Sequence, residues 1–442
     1  MTKPPPPATN LADAIVAEHF SERDGELVVG GVPVSELAKA YGTPLYVYDS
    51  ALMRQTYRRL AQAVAGFAEV YYSIKANPNP EIARIFVREG AGLEIASGAE
   101  FQCAKAAGCE PHRIVFAGPG KGFDELELTI QAGVGEIHLE SFEEIEHVAR
   151  IARRLGRDVR AAVRINPVSS ARGGAMQMGG RPSPFGFDEE DIERVLVSLA
   201  AHPLLHLSGI HVFSGTQILD PRVLEAQWAH SIALAARVAK RLNRPLDTID
   251  LGGGLGIPYY AGDAALDLAR LTEFIPSLRA ALQAEPLLRS ARVILEPGRF
   301  LTGAAGIYLM AVRSVKTSRE TCFVICDGGM HHHLAASGNL GQVVKRDYPI
   351  VAASRLREQS RSSCNVVGPL CTPLDTLGRN VMLPRLYEGD LIAVLQSGAY
   401  GLTASPIGFL SHPTPAEVLV ENGKHQVIRQ RTMPGGPAAL SA

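Results

Sequence analysis

From about Val70 the chain alternates short runs of apolar and β-branched residues with longer stretches whose apolar residues recur at helical spacing. The short runs read VYYSIKAN, GLEIAS, RIVFAG, EIHLES, RAAVRIN, LSGIHVFSG, TIDLGGG and RVILEPGR, and each ends in small or polar residues. Between them, stretches such as EEIEHVARIARRLG and EAQWAHSIALAARVAKRLN set an apolar face opposite a charged one. Strand then helix, eight times over, predicts parallel strands closed into a (β/α)8 TIM-like barrel of the α/β class, with an open doubly wound sheet as the alternative. After residue 300 the pattern changes to β segments (TCFVICDGG, SCNVVGPLC, DLIAVLQSGAYG) with little helix between them, which predicts a separate C-terminal β domain of sandwich or small-barrel type. The expected boundaries are a flexible tail over 1–21, a segment over 22–45 that joins the β domain, the barrel over 46–300, and the β domain over 301–442 with a loose end.

Composition narrows the partners. The chain has 442 residues, 46% hydrophobic, with a formal charge of -1 and no long basic run, so neither nucleic acid nor an anionic membrane surface is expected and a small ligand is. The opening MTKPPPPATN is too proline-rich for a signal peptide, and no apolar run approaches the roughly 20 residues of a membrane helix. A cytoplasmic protein is expected. The six cysteines are scattered, and Cys322 and Cys326 lack the paired spacing of a zinc knuckle or redox motif.

In a parallel barrel the chemistry gathers at the C-terminal ends of the strands. Those ends carry Lys75, Glu94, Arg164, His211, Ser214, Gly252, Gly253, Gly254 and Glu296. Lone lysines mostly carry their charge into solvent, but one in a barrel mouth is partly desolvated and its amine becomes available for a Schiff base. TIDLGGGLGIPY is a glycine-rich strand end whose N–H groups could hold a phosphate or simply turn the chain, and it lacks the spacing of a dinucleotide site. Glu296 needs a cationic or hydrogen-bonding partner, which a pyridinium nitrogen or Arg299 could supply. His211 is either a satisfied core histidine or a lid on a flat ring, and Ser214 is placed to donate to a phosphate. Lysine for an aldehyde, acid for a ring nitrogen, glycines for a phosphate and histidine for a ring face jointly describe pyridoxal 5'-phosphate.

With YSIKAN, HVFSGTQ, DLGGGLGIPY, EPGRF, GPLCTPLD and SGAYG in this order, the chain from about Gly42 to about Pro415 resembles the fold-type III pyridoxal-phosphate decarboxylases, the ornithine, diaminopimelate and arginine decarboxylase family. The resemblance implies an alanine-racemase-like barrel plus a β domain, in a head-to-tail homodimer with shared sites. It makes Lys75 the Schiff-base lysine, Glu296 the partner of the pyridine nitrogen and His211 the residue on the ring. Ser214, Gly252 to Gly254, Gly298, Arg299 and Tyr400 would surround the phosphate. Cys371 would reach in from the second protomer as proton donor, and Arg299, Thr372 and Asp375 would face the substrate.

Departures bear on that substrate. Enzymes for free diaminopimelate usually carry Glu after this cysteine, where this chain has Thr372, and the segment DGGMHHHLAASGN has no arginine to clamp a distal carboxylate. His331 to His333 have no nearby acid or cysteine spacing, so no metal is expected. The Gly- and Met-rich loop over 171–187, with CTPLD and FLSHPTP, resembles the branch that acts on carrier-protein thioesters or siderophore precursors. Ordinary diaminopimelate decarboxylation is the alternative. A racemase normally pairs a tyrosine with an arginine where this chain has Cys371 and Glu296, and an inactive regulator tends to lose the lysine or the cysteine, both of which are present.

Overall fold

The computed structural model describes residues 10–168, 176–177, 182–340 and 345–433. Of the Gly- and Met-rich loop over 171–187, residues 171–175 and 178–181 lie outside the described residues. The chain divides into two compact units: one is built from residues up to Met53, from Tyr259–Asp263 and from Thr302 onward, the other from Arg54–Pro258 and Ala264–Leu301.

The second unit is the barrel. Its strands are β1 (Glu69–Ser73), β2 (Gly92–Ile95), β3 (Ile114–Phe116), β4 (Glu136–Leu139), β5 (Val159–Asn166), β6 (Leu205–Val212), β7 (Thr248–Asp250) and β8 (Arg292–Leu295). Every neighbouring pair is parallel, and the ring closes because β8 pairs with β1 and β4 with β5. The first seven strands lead into α1 (Pro80–Arg88), α2 (Gly98–Ala106), α3 (Phe123–Ala132), α4 (Phe142–Leu155), α5 (Ile192–Ala200), α6 (Pro221–Leu242) and α7 (Leu268–Ala284).

The helices start and stop where the local chemistry directs. Ser141 caps α4 by accepting from the Glu144 N–H, and Gly156 ends it in the left-handed region at φ 61°. Between the caps, Ile145, Val148, Ala149, Ile151 and Ala152 are buried on one stripe. α6 buries Leu224, Trp228, Ile232 and Val238 in the same way, each contributing about 1.5–3 kcal/mol if it leaves water fully.

Inside the barrel the floor is apolar: Tyr71, Val115 and Ile294 pack together. Gly92 makes room for that floor, since a Cβ there would stand 2.2 Å from the Tyr71 ring, so Gly92→Ala should break it. Ser73, Glu94, Glu136, His138, Ser208, Asp250, His211 and Glu296 are all buried in the same unit. On β4 the period-two rule puts Glu136 and His138 on one face.

The sheet unit is organised by a long strand, Gly306–Ser318, which pairs with Leu45–Asp49, Leu391–Val394 and Thr321–Cys326. Leu45, Val47, Ile307, Leu309, Val418 and Val420 alternate into its core. Two expectations need correction. Leu11–His19 is a helix rather than part of a loose tail, because Asn10 caps it by accepting from the Ala12 N–H and because Ala12 and Ile15 join this core. The strand Leu45–Asp49 lies in the sheet unit rather than opening the barrel at 46, since it pairs parallel with Ala416–Glu421. Among the described residues no helix is long and apolar enough to cross a membrane.

Candidate active site in the barrel mouth

Lys75 sits in the 3-10 turn Ile74–Ala76, directly after β1. Its Nζ donates to both oxygens of Glu94 at 3.0 Å, and the Ser73 hydroxyl donates to the same carboxylate. Burial pushes the Glu94 carboxyl up, but the Lys75 ammonium and the Ser73 hydroxyl outweigh it and hold the group below its usual range. The lysine that opens the site is thus held beside an ionised acid.

The turn after β8 packs against the lysine turn: Ser73 N–H donates to Pro297 O at 3.3 Å, and a Cβ on Gly298 would meet Ala76 Cβ at 2.8 Å. Glu296, at the head of that turn, faces His211 with Oε2 3.4 Å from Nε2. Burial, and then the neighbouring Asp250 and Glu94 charges, push Glu296 well above the carboxylate range. Burial also lifts Asp250, to about 7, while the Gly252 N–H opposes the rise by donating to its carboxylate. His211 is driven the other way, well below 6.5, by burial and then by the positive neighbours His138, Arg164 and Lys75.

Gly252 and Gly254 adopt φ of 67° and 92°, which only glycine takes at little cost. A Cβ on Gly253 would lie 2.4 Å from Glu296 O and one on Gly254 2.7 Å from Gly215 O, so the turn is pressed against the ends of β8 and β6. The Gly252 N–H donates to Asp250 Oδ1 at 2.8 Å, which fixes the turn. Ser214 lies between the end of β6 and the short strand Gly215–Thr216. Arg299 begins a one-turn helix after Gly298.

Arg164 serves a clamp. Its Nη1 donates to Glu140 Oε1 at 2.8 Å, and Glu140 also accepts from the Gly118 and Gly186 N–H groups, tying together the loops after β3, β4 and β5. Buried Lys121 pairs with Glu144 at 2.7 Å beside it.

The remaining expected residues belong to the sheet unit. Cys371 is exposed and Thr372 half-buried, in a turn after the strand Arg361–Val367. Tyr400 takes a left-handed backbone at φ 53°, which a tyrosine rarely adopts. Asp375, expected to face the substrate, lies in the turn after Cys371. It is 2% exposed, with Oδ1 accepting from Met330 N–H and Oδ2 from Leu370 N–H. Each oxygen thus helps hold the turn that carries Cys371.

The barrel site suits a flat, basic ring with an anionic tail. Among the described residues Glu296 Oε1 and Asp250 Oδ2 are buried without a hydrogen-bond partner, so this acidic wall suits a donor such as a ring N–H. Residues 50–303 match the family model for the pyridoxal-binding domain of pyridoxal-dependent decarboxylases. The chain belongs to that family.

This decarboxylase is 37% identical over 401 residues to the L-glutamyl-[BtrI acyl-carrier protein] decarboxylase of Niallia circulans, covering 90% of this chain and 93% of that one. It is 33% identical over 414 residues to the diaminopimelate decarboxylase of Aquifex aeolicus, covering 93% and 95%. Its fold matches that of diaminopimelate decarboxylase from M. jannaschii in co-complex with L-lysine, with a TM-score of 0.88, 25% identity, and coverage of 96% and 98%. It is a pyridoxal-phosphate-dependent carboxy-lyase with a small-molecule substrate.

The decarboxylase also holds buried residues that strand-end reasoning passed over. His138 Nδ1 lies 3.0 Å from His211 Nδ1, and its Nε2 lies 3.2 Å from Glu136 Oε1 and 3.8 Å from Asp250 Oδ2. The Ser208 hydroxyl donates to Glu136 Oε2 from a bulge in β6 between Leu207 and Gly209. Donor atoms of His138, His211 and Glu296 lie within 4.8 Å of one another, but the two histidines spend their Nδ1 atoms on each other. The signal available in sequence was EIHLE, an apolar strand carrying an ionisable residue at every second position.

Proposed function

We propose that this decarboxylase acts on an amino acid tethered to a larger carrier, an acyl-carrier-protein thioester or a siderophore precursor, in the cytoplasm. The amine and the departing carboxylate must both be free, so the tether runs through another group of the amino acid. The observation that carries this reading is Thr372 beside Cys371, where an acid would be needed for the distal ammonium of free diaminopimelate. Higher identity to the carrier-protein decarboxylase than to the Aquifex diaminopimelate enzyme supports it.

Pyridoxal 5'-phosphate, when bound, supplies an electron sink for the pair left behind as carbon dioxide departs. Lys75 would hold its aldehyde end, with Glu94 beside the amine to accept or return a proton. Glu296 would keep the ring nitrogen protonated, and His211 would cover the ring. Gly253, Gly254 and Ser214 would hold the phosphate, with Gly252, Gly298, Arg299 and Tyr400 shaping the surroundings. Arg299 and Thr372 would face the substrate. Cys371, contributed by a second copy in a head-to-tail homodimer, would return a proton to the carbon that lost its carboxylate.

Carbon dioxide release tests this directly, with free meso-diaminopimelate, free glutamate and an L-glutamyl carrier-protein thioester as substrates. The thioester should turn over and the free amino acids hardly at all. Efficient release from free diaminopimelate, with none from the thioester, would return the enzyme to lysine biosynthesis. Mixing inactive Lys75→Ala and Cys371→Ala chains should restore activity, since one site per mixed dimer is intact. A fully active monomer would rule out the shared site.

A further inference from the structure

We infer that His138, paired with Glu136, is a positioning residue that keeps His211 neutral with its proton on Nε2. Its consequence for the cofactor rests on the reading of His211 as the residue on the ring, but the protonation pattern stands on geometry.

Glu136 and His138 occupy alternate positions of β4, and both are 0% exposed. The Nε2 edge of His138 faces two buried carboxylates, Glu136 Oε1 at 3.2 Å and Asp250 Oδ2 at 3.8 Å. An imidazole wedged against two acids out of reach of water is best satisfied as the doubly protonated cation, because a buried carboxylate needs a charged partner. The Glu136 carboxyl fits that arrangement: burial works against its ionisation, yet His138 and Ser208 hold it below the usual range.

With Nε2–H given to Glu136, the second proton of His138 lies on Nδ1, 3.0 Å from Nδ1 of His211. Only one proton fits between two ring nitrogens at that distance, so His211 accepts there. A neutral imidazole that accepts at Nδ1 carries its proton on Nε2. That N–H lies 3.4 Å from Glu296 Oε2, a close approach without hydrogen-bond geometry, so Glu136, His138, His211 and Glu296 follow one another across the barrel. Lys75 and Arg164 add positive charge nearby, which further opposes a cation on His211. A neutral ring at this place would not repel a protonated pyridine nitrogen.

The test is nitrogen-15 NMR of histidine-labelled, cofactor-loaded protein. The chain has 13 histidines, so the pair must be assigned by the scalar coupling that an N–H···N hydrogen bond transmits between its two nitrogens. One member of the coupled pair should be protonated on both nitrogens and the other on Nε2 alone. His138→Asn should release His211 into a mixture of tautomers. Glu136→Gln, which keeps both histidines, should cost His138 its second proton. A proton on His211 Nδ1, a doubly protonated His211 or an uncoupled pair would overturn the inference. Carbon dioxide release measured on the same samples reports separately on the proposed reaction.

Discussion

The barrel and the sheet unit each bury histidines, and the surroundings differ in kind. His138 and His211 lie among Glu136, Asp250 and Glu296, all within ion-pair reach of one ring or the other. His331, His332 and His333 are as deeply buried, but against hydroxyls: Tyr308 Oη is 3.1 Å from His332 Nδ1, and His333 Nε2 is 3.0 Å from Ser397 Oγ. Among the described residues none of these three makes an ion pair with a carboxylate. Burial, joined at His331 and His332 by neighbouring histidines, pushes their imidazoles down to about 4, 2 and 3. A buried histidine beside acids can organise charge for chemistry, whereas one beside tyrosines and serines is part of a neutral core.

The sharpest way to break this contrast is at Lys75, a cation that donates to both oxygens of buried Glu94. Lys75→Ala should abolish carbon dioxide release and the visible absorption of the lysine-bound cofactor. Borohydride reduction that fixes the cofactor to a different lysine would show that the mouth is not organised around this residue.

The strand ends were legible in sequence because a parallel barrel brings them to one face whatever its helices do, so Lys75, Glu94, His211 and Glu296 could be named from position. Glu136 and His138 were not, because they lie before the end of their strand and their partners come from other strands far along the chain. Asp375 shows the opposite case. An acid in CTPLD looks available for a ligand, and only the fold shows Met330 and Leu370 delivering their N–H groups to it. The helix at Leu11–His19 was hidden by the proline-rich residues before it, although its apolar residues already had helical spacing.

The neutral core of the sheet unit has a thermodynamic signature. Histidines whose folded pKa is depressed stay uncharged in the fold while the unfolded chain binds protons below about pH 6.5, so their contribution is intact above that pH and is lost as the pH falls. From there down to about 4, where His331 also begins to titrate in the fold, each should cost about 1.4 kcal/mol of stability per pH unit. His333→Gln can still reach Ser397 but removes one titrating group. Its unfolding free energy, from urea melts at several pH values, should fall less steeply with acid than that of the wild type. An unchanged slope would mean that these imidazoles are not held neutral, and the contrast between the two units would collapse.

The smallest effect concerns Thr372, where the sheet unit again offers a neutral group. Thr372 N–H donates to Leu370 O at 2.8 Å and its Oγ1 accepts from Leu374 N–H at 3.3 Å, while Asp375 pins the turn independently. Thr372→Glu should therefore keep the backbone, losing one exposed hydrogen bond worth about 0.5–1.5 kcal/mol of stability at most. If the side chain faces substrate as proposed, the new carboxylate can take the distal ammonium of free diaminopimelate, a contact to an ionised group worth about 1.5–3 kcal/mol. The segment after Met330 still lacks an arginine for the distal carboxylate, so only part of that gain should be realised. We expect kcat/KM for free diaminopimelate to rise about tenfold, the equivalent of roughly 1.4 kcal/mol, while turnover of the carrier-bound substrate falls. An unchanged kcat/KM for free diaminopimelate in a folded, cofactor-loaded variant would remove Thr372 from the substrate site and leave the choice of substrate to the barrel.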